Sequence, residues 1–325
     1  MPKFQHFIIT PFNVDIGVKP REYILGTQYL ENRLKIFQEV SYPSVYNQSN
    51  QNFQWLVFVD KETPISYQKT FEELSQWPHL SIILTEPNVD FHPLLVEAIK
   101  KRLEPDTEFL ITSNLDCDDA FHRHYIKFTQ ESFREQDFEF INFPFGYLLR
   151  KDGLFLRQYL FSTFISLIER INDPIITTKV MSHHKVFELF QQGLKLRQIF
   201  TEPLWLQTVH DNNLLTKLDV NATLQTLDKI NTNFPIQEFV RYHVESSYSQ
   251  SLSKFLSNNI LKNKYKLPLK KRINNAIALI NPALPRFYLW LILNLKSRLS
   301  APPVLSVHEM KLLCLQQTTH WRKTT

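Results

Sequence analysis

Residues 111–122 read ITSNLDCDDAFH, which places Asp116, Asp118 and Asp119 within four positions, directly behind an apolar run. Adjacent carboxylates repel one another, so a positive charge must sit among them for such a cluster to persist. The residue types suit a hard cation. Mg²⁺ and Mn²⁺ take oxygen ligands, and Mg²⁺ is often held by one or two carboxylates together with substrate phosphates. A metal so placed can bridge a diphosphate and stabilise the charge that develops as the diphosphate leaves. Helix capping is the competing use of aspartate, and it accounts for one Asp rather than three. On this reading, removing one carboxylate should leave the fold intact or stabilise it. Two other carboxylate chemistries fail on detail. An EF-hand counted from Asp116 needs Gly and Glu at its sixth and twelfth positions, which here are Phe121 and Lys127. An aspartyl-phosphate phosphatase carries its DxDx[TV] motif behind the first strand, and this cluster follows the fourth.

The elements around the cluster can be read from periodicity. The apolar runs KFQHFIIT (3–10), FQWLVFVD (53–60), LSIILT (80–85) and EFLITSNLD (108–116) predict strands. They alternate with helical patterns at 21–42, 64–77, 92–104 and 119–133. Apolar strands alternating with helices imply βαβ units and a parallel sheet buried on both faces. Ligands of such sheets bind beyond the carboxyl ends of the strands, where Asp60 and the Asp116–Asp119 cluster both fall. Farther on, FEFINFP reads as a strand and YLLRKDGLFLRQYL as a hairpin turning at Lys151-Asp152-Gly153. HHKVFELFQQG reads as a helix and LWLQTVH (204–210) as a last strand. Beyond about 215 only helical or polar segments are expected.

Composition excludes several classes. The five glycines form neither GxGxxG nor GxxxxGK[ST], so a dinucleotide-binding turn and a P-loop are both absent. Cys117 and Cys314 lack metal-ligand spacing and fit a reducing compartment. The amino terminus has no secretory pattern and no apolar stretch reaches membrane-spanning length, so a cytoplasmic chain is expected. The net charge of +5 is uneven: residues 251–325 hold 13 Lys and Arg against Glu309 alone. Such a basic tail seeks an anionic surface. Within it, residues 283–299 form an apolar segment with Arg286, Lys296 and Arg298 at its ends, too short as a helix to cross a bilayer but suited to its interface.

The segments YLENRLKIFQEVSYPSVYNQ, FQWLVFVDKETP, LDCDDAFH and LWLQTVHDNN, in that order, resemble the bacterial rhamnosyltransferase family of GT-A-fold nucleotide-sugar glycosyltransferases. The resemblance runs from about residue 4 to about 215. It implies an α/β, GT-A-like (Rossmann-like) fold with a mostly parallel central sheet flanked by helices and a C-terminal helical appendage. The expected organisation is a glycosyltransferase domain over 1–215, a basic helical extension over 216–300 and a loosely ordered tail over 301–325. It further implies metal-dependent transfer of a sugar, rhamnose among them, with inversion, from a nucleoside-diphosphate donor to a saccharide or lipid-linked acceptor of a bacterial surface polysaccharide. The DxDD-type motif Asp116, Asp118 and Asp119, with His210 as a further ligand, would hold Mn²⁺ or Mg²⁺. Asp60, Asn13 and Asp116 would contact the nucleotide-sugar. Glu169 or Asp173 would be the general base that inversion needs; for each, a helix-end surface charge is the plainer reading. His183 and His184 read more readily as cap or surface residues than as substrate ligands.

One departure stands out. The family often reads Thr-Arg-Phe-Asn after the first strand, where this chain has Thr10-Pro11-Phe12-Asn13, so a basic residue expected near the donor is missing. That departure and the basic tail define the alternative reading, a catalytically degenerate membrane- or nucleic-acid-binding module of the same fold. The intact Asp cluster favours the enzyme. Peripheral contact with the anionic inner face of the plasma membrane is expected, and nucleic acid is not.

Overall fold

A computed structural model of the chain describes residues 3–15, 19–87, 90–210, 222–230, 233–261, 268–281, 284 and 305–317. The strands are β1 Phe4–Pro11, β2 Gln54–Asp60, β3 Leu80–Thr85, β4 Phe109–Asn114, β5 Ala120–Phe121, β6 Phe138–Asn142, β7 Phe145–Arg150, β8 Gly153–Gln158, β9 Ser166–Arg170, β10 Leu196–Gln198, β11 Trp205–Thr208 and β12 Thr223–Gln225. Helices α1 Arg21–Ile24, α2 Thr27–Ile36, α3 Tyr42–Tyr46, α4 Ile65–Leu74, α5 Phe91–Lys100 and α6 Tyr125–Glu131 fall between the earlier strands. Later in the chain come α7 His183–Gln191, α8 Gln237–His243, α9 Tyr248–Phe255, α10 Leu269–Ile280 and α11 Val307–Gln316.

Seven strands form the main sheet in the order β10-β6-β9-β4-β1-β2-β3. All pair in parallel except β9, which runs against both β4 and β6. The α/β, mostly parallel architecture is therefore the one the sequence implies. The apolar runs become strands buried on both faces: Phe7, Ile8 and Ile9 of β1 and Leu56, Val57, Phe58 and Val59 of β2 are all 0% exposed. Sheet order places the carboxyl ends of β4, β1 and β2 side by side; Asp116 and Asn13 lie on the loops that leave the first two, and Asp60 ends the third.

The second sheet, β12-β8-β7-β11-β5, holds the expected hairpin, β7 pairing with β8 antiparallel from Phe145↔Gln158 to Arg150↔Gly153. A close approach dictates Gly146: a Cβ there would stand 2.0 Å from the Trp205 ring on the neighbouring β11. The segment after the cluster enters this sheet before turning helical, Phe121 pairing with Trp205, so α6 starts at Tyr125 rather than at 119.

Three elements depart from the sequence reading. Residues 166–170, read as a helix end, form β9, because apolar residues on both sides of the run suit an interior strand. Past 215 the chain still contributes β12, which extends the second sheet at β8, so the sheet does not end at the expected domain boundary. Part of the tail expected to be loosely ordered is α11, whose Met310 and Cys314 pack with Phe138, Phe140, Leu167 and Ile176. A capping box starts that helix: Ser306 receives the Glu309 N–H, and the Glu309 side chain accepts from Ser306 N–H at 2.8 Å. The interface helix read over 283–299 lies outside the described residues, Leu284 excepted, as do Asp211, Asn212 and Asn213.

Candidate active site

The cluster hangs from β4 on a short loop in which Leu115 and Cys117 are buried, anchored by the Leu115 N–H to the Ile9 carbonyl at 3.1 Å. The three carboxylates have different surroundings. Asp118 is buried and pairs with the Arg33 guanidinium, itself 5% exposed on α2. His210 Nε2 reaches the same carboxylate oxygen at 3.1 Å. Burial alone would raise the Asp118 pKa, but the Arg33 charge and the His210 hydrogen bond outweigh it and hold the group at about 2. Asp119 accepts the Thr208 N–H at 3.0 Å. Burial and the charges of Asp118 and Asp116 push its pKa well above the usual carboxylate range. Asp116 is the one that faces solvent, its side chain 39% exposed, with Lys179 Nζ at 3.5 Å and the Thr163 hydroxyl at 3.3 Å.

Arg33 is thus the positive charge that the cluster demands. It lies on the face of α2 that also carries the buried Leu30 and Leu34, and this removes its own charge from water. Burial opposes its ionisation, yet Asp118 keeps its pKa well above that of free arginine. Cys117, between the carboxylates, is pushed up to about 12 by burial and is no nucleophile.

The four residues expected to hold Mn²⁺ or Mg²⁺ do not converge as a metal site. Among the described residues, no three His, Cys, Asp or Glu side chains form a group that could hold a metal ion. Asp118 and His210 do meet, but around Arg33, and Asp119 points to the Thr208 backbone. This donor set, as placed, does not fit a divalent ion.

Asp60 and Asn13 are joined beneath the carboxyl ends of β1 and β2. Asn13 Oδ1 accepts the Asp60 N–H at 3.0 Å, and its amide donates to Thr63 Oγ1 at 2.9 Å. Asp60 is 0% exposed and takes Arg21 in a bidentate pair at 2.5 and 2.8 Å, plus the Glu62 N–H at 2.8 Å. Asp60 therefore orients Arg21, whose side chain is 20% exposed at the site. The chain does not lack a cation here. Arg21 and Arg33, from the segment that follows Pro11, each pair with a carboxylate here.

Neither proposed base comes to the cluster. Glu169 pairs in register with Leu110 at the opposite end of β4, is 0% exposed, and binds Lys311 Nζ at 3.1 Å. Asp173 is exposed and pairs with Lys100 at 2.9 Å. His183 and His184 open α7, for which Ser182 is the N-cap residue.

Arg21, Arg33 and Lys179 are the site residues the sequence reading passed over. Two further polar atoms, Asn114 Oδ1 and Thr178 Oγ1, are buried here without a partner among the described residues, and so keep unused hydrogen-bonding capacity. A pocket of about 710 Å³ opens elsewhere, lined by Ser49, Asn50, Gln51, His124, Lys127, Gln130 and Glu131 near the amino end of β2. The end of a parallel sheet that binds ligands is the other one, so the carboxylate face is the better candidate.

Carboxylates and arginines thus gather at the carboxyl ends of the parallel strands, the end at which open α/β sheets bind their ligands. The chain belongs to the family described as "Putative rhamnosyl transferase", whose profile matches residues 18–221. The description that the family carries is of a transferase of rhamnosyl groups. Solved structures with a loose likeness include TarS of S. aureus, at 13% identity over 78% of this chain and 43% of that one, TM-score 0.37. This chain thus spans less than half of that protein. The 1–349 form of TarS matches at 15% identity over 98% of this chain and 90% of that one, TM-score 0.37. Mannosyltransferase PcManGT from Pyrobaculum calidifontis, in complex with GDP-Man and Mn²⁺, matches at 9% identity over 98% and 84%, TM-score 0.35. No curated protein matches the chain.

Proposed function

We propose that the chain transfers a sugar, rhamnose being the one its family's description names, from a nucleoside-diphosphate donor to a saccharide or lipid-linked acceptor. One observation carries this reading beyond the family: Asp116 and Lys179 on the β4 side, and Arg21 on the β2 side, flank the end of β1 with Arg33 buried beneath. Partly exposed cations in that position can take a diphosphate and stabilise the charge it gains on leaving. The buried carboxylates fix the cations rather than react. Asp118 holds Arg33, Asp60 holds Arg21, and Asp116 holds Lys179 while offering its free face to the donor. The expected Mn²⁺ or Mg²⁺ could reach Asp118 only by displacing Arg33, so no step is assigned to it.

The experiment is a donor panel. UDP-, dTDP- and GDP-sugars are offered to the purified protein with and without Mn²⁺, and release of the nucleoside diphosphate is followed with time. Release from one nucleotide class is expected; silence across the panel, with no diphosphate binding, would remove the enzyme reading in favour of the degenerate module.

Peripheral contact with an anionic membrane is the second part of the proposal. Helix α10 exposes Leu269, Ile273, Ile277 and Ile280 at 67%, 49%, 36% and 87%, spaced along one side. The surrounding sequence is strongly basic, which suits an interfacial helix. Among the described residues no helix is long and apolar enough to cross a membrane. Flotation on phosphatidylserine vesicles, lost in Ile273→Glu/Ile280→Glu, is expected; flotation of neither protein would remove the contact, and equal flotation of both would remove α10 from it.

A further inference from the structure

Helix α11 brings a lysine into the interior, far from the cluster in sequence. Lys311 is 2% exposed, and its ammonium group lies 3.1 Å from Glu169 Oε2, 2.5 Å from Asn172 Oδ1, 2.8 Å from the Pro174 carbonyl and 3.3 Å from the Asn172 carbonyl. Glu169 in turn accepts the backbone N–H of Ile176 at 3.2 Å and of Thr177 at 3.0 Å. Both members of the pair therefore grip a single stretch, 172–177. That stretch needs holding, because Thr177 has φ 61°, a left-handed conformation that a β-branched residue adopts only when its surroundings impose it. Immediately beyond, the Thr178 N–H donates to Thr112 Oγ1 on β4 at 3.1 Å, and Lys179 Nζ lies 3.5 Å from Asp116. A buried ion pair seldom adds stability, since desolvation cancels most of its attraction. What this one supplies is geometry.

We propose that Lys311 is a positioning residue of the candidate active site: through Glu169 it fixes the 172–177 turn and thereby holds the Lys179 ammonium beside Asp116. The donor-binding consequence rests on the proposed function; the positioning itself does not. The C-terminal helix is, on this account, part of the machinery that shapes the donor face, and the buried Glu169 has a role other than that of a base.

Two measurements on the full chain test this. Hydrogen exchange followed by mass spectrometry compares wild type with Lys311→Met. Peptides covering 172–180 should exchange about tenfold faster while those of β1, β2 and β3 stay unchanged. Unchanged exchange in 172–180, or the same acceleration everywhere, overturns the proposal. Calorimetric affinity is then measured for UDP, GDP and dTDP, using whichever binds wild type most tightly. Lys311→Met and Lys179→Met should each weaken it by about five- to tenfold, and the double variant no further, because both act through one ammonium group. Additive losses overturn the proposal. If none of the three binds wild type, the donor reading fails and the exchange result alone decides the positioning claim. Should Lys311→Met not fold, Asn172→Ala removes a single acceptor from the ammonium and carries the same comparisons.

Discussion

Arg33–Asp118 and Lys311–Glu169 are both ion pairs buried in this molecule, and they are closed in different ways. Around Lys311–Glu169 the remaining hydrogen bonds go largely to backbone: two N–H groups to the carboxylate, and the Asn172 and Pro174 carbonyls to the ammonium. Around Arg33–Asp118 they include side chains, His210 at the carboxylate and the Tyr29 hydroxyl, which accepts from Arg33 Nε at 3.3 Å. A pair satisfied by backbone cannot exchange partners without local unfolding. A pair satisfied by side chains at the rim of a site can be rearranged by a ligand. The first kind supports a site and the second belongs to one.

The largest expected effect is at the backbone-closed pair. Glu169→Ala strands a buried ammonium and two N–H groups, and should cost about 3–5 kcal/mol in urea denaturation. A loss under about 1 kcal/mol, the range of exposed pairs, would remove the distinction drawn here. Restoring apolar character with Lys311→Met should recover little of it, since the Ile176 and Thr177 N–H groups stay unpaired.

Arg33→Met comes next, at about 3 kcal/mol, because the buried Asp118 carboxylate loses its guanidinium partner. Here the double variant Arg33→Met/Asp118→Asn should recover roughly half, as neither charge of the pair then remains to be compensated. Asp118→Asn by itself should destabilise, the reverse of what a cluster of mutually repelling carboxylates suggests, because Arg33 already compensates the charge. Arg33→Met should also bind Mn²⁺ more tightly than wild type in electron paramagnetic resonance titrations of the ligand-free protein.

Acid dependence separates the neighbouring carboxylates. Asp118 titrates near 2 in the fold, against an ordinary value of 3.8. It therefore contributes stability above about pH 4, on the order of 2 kcal/mol, that is lost as pH falls toward 2. Asp119 has the opposite sign: its raised pKa makes the ionised form a cost near neutrality, relieved as pH falls through the folded value. The stability gained by Asp119→Asn over wild type in urea should therefore be largest near neutrality and shrink on acidification. The stability lost by Asp118→Asn should shrink only as pH falls from about 4 toward 2. The smallest effect is His210→Ala, about 1 kcal/mol or less, since Asp118 keeps its stronger partner.

The placing of Asp60 and Asp116 at neighbouring strand ends was legible in the sequence because the signals are local. Apolar runs ending in Asp60 and Asp116 mark buried parallel strands and their carboxyl ends. The cations were not read, although α2 carries a usable sign: Arg33 falls at helical spacing among Leu30, Leu34 and Phe37, on the face that should be apolar. An arginine there requires a buried anion, and the anion is 85 residues away. Glu169 misled because SLIER is too short to show whether it is strand or helix, and its role depends on a partner 142 positions later in the chain. The tail misled because Ala301-Pro302-Pro303 draws attention from Ser306-Val-His-Glu309, whose capping-box spacing announces a helix. What stayed hidden were pairings over long separations, which no periodicity encodes.

Asp116 is the member of the cluster that a donor can reach without breaking a buried pair, so it gives the most direct test of the donor face. Nucleoside-diphosphate release from the donor that wild type accepts is measured for Asp116→Asn, alongside its melting temperature. The expected result is a rate lower by about 100-fold or more with the melting temperature within a few degrees of wild type. Release at the wild-type rate would contradict the assignment of this face as the site of transfer.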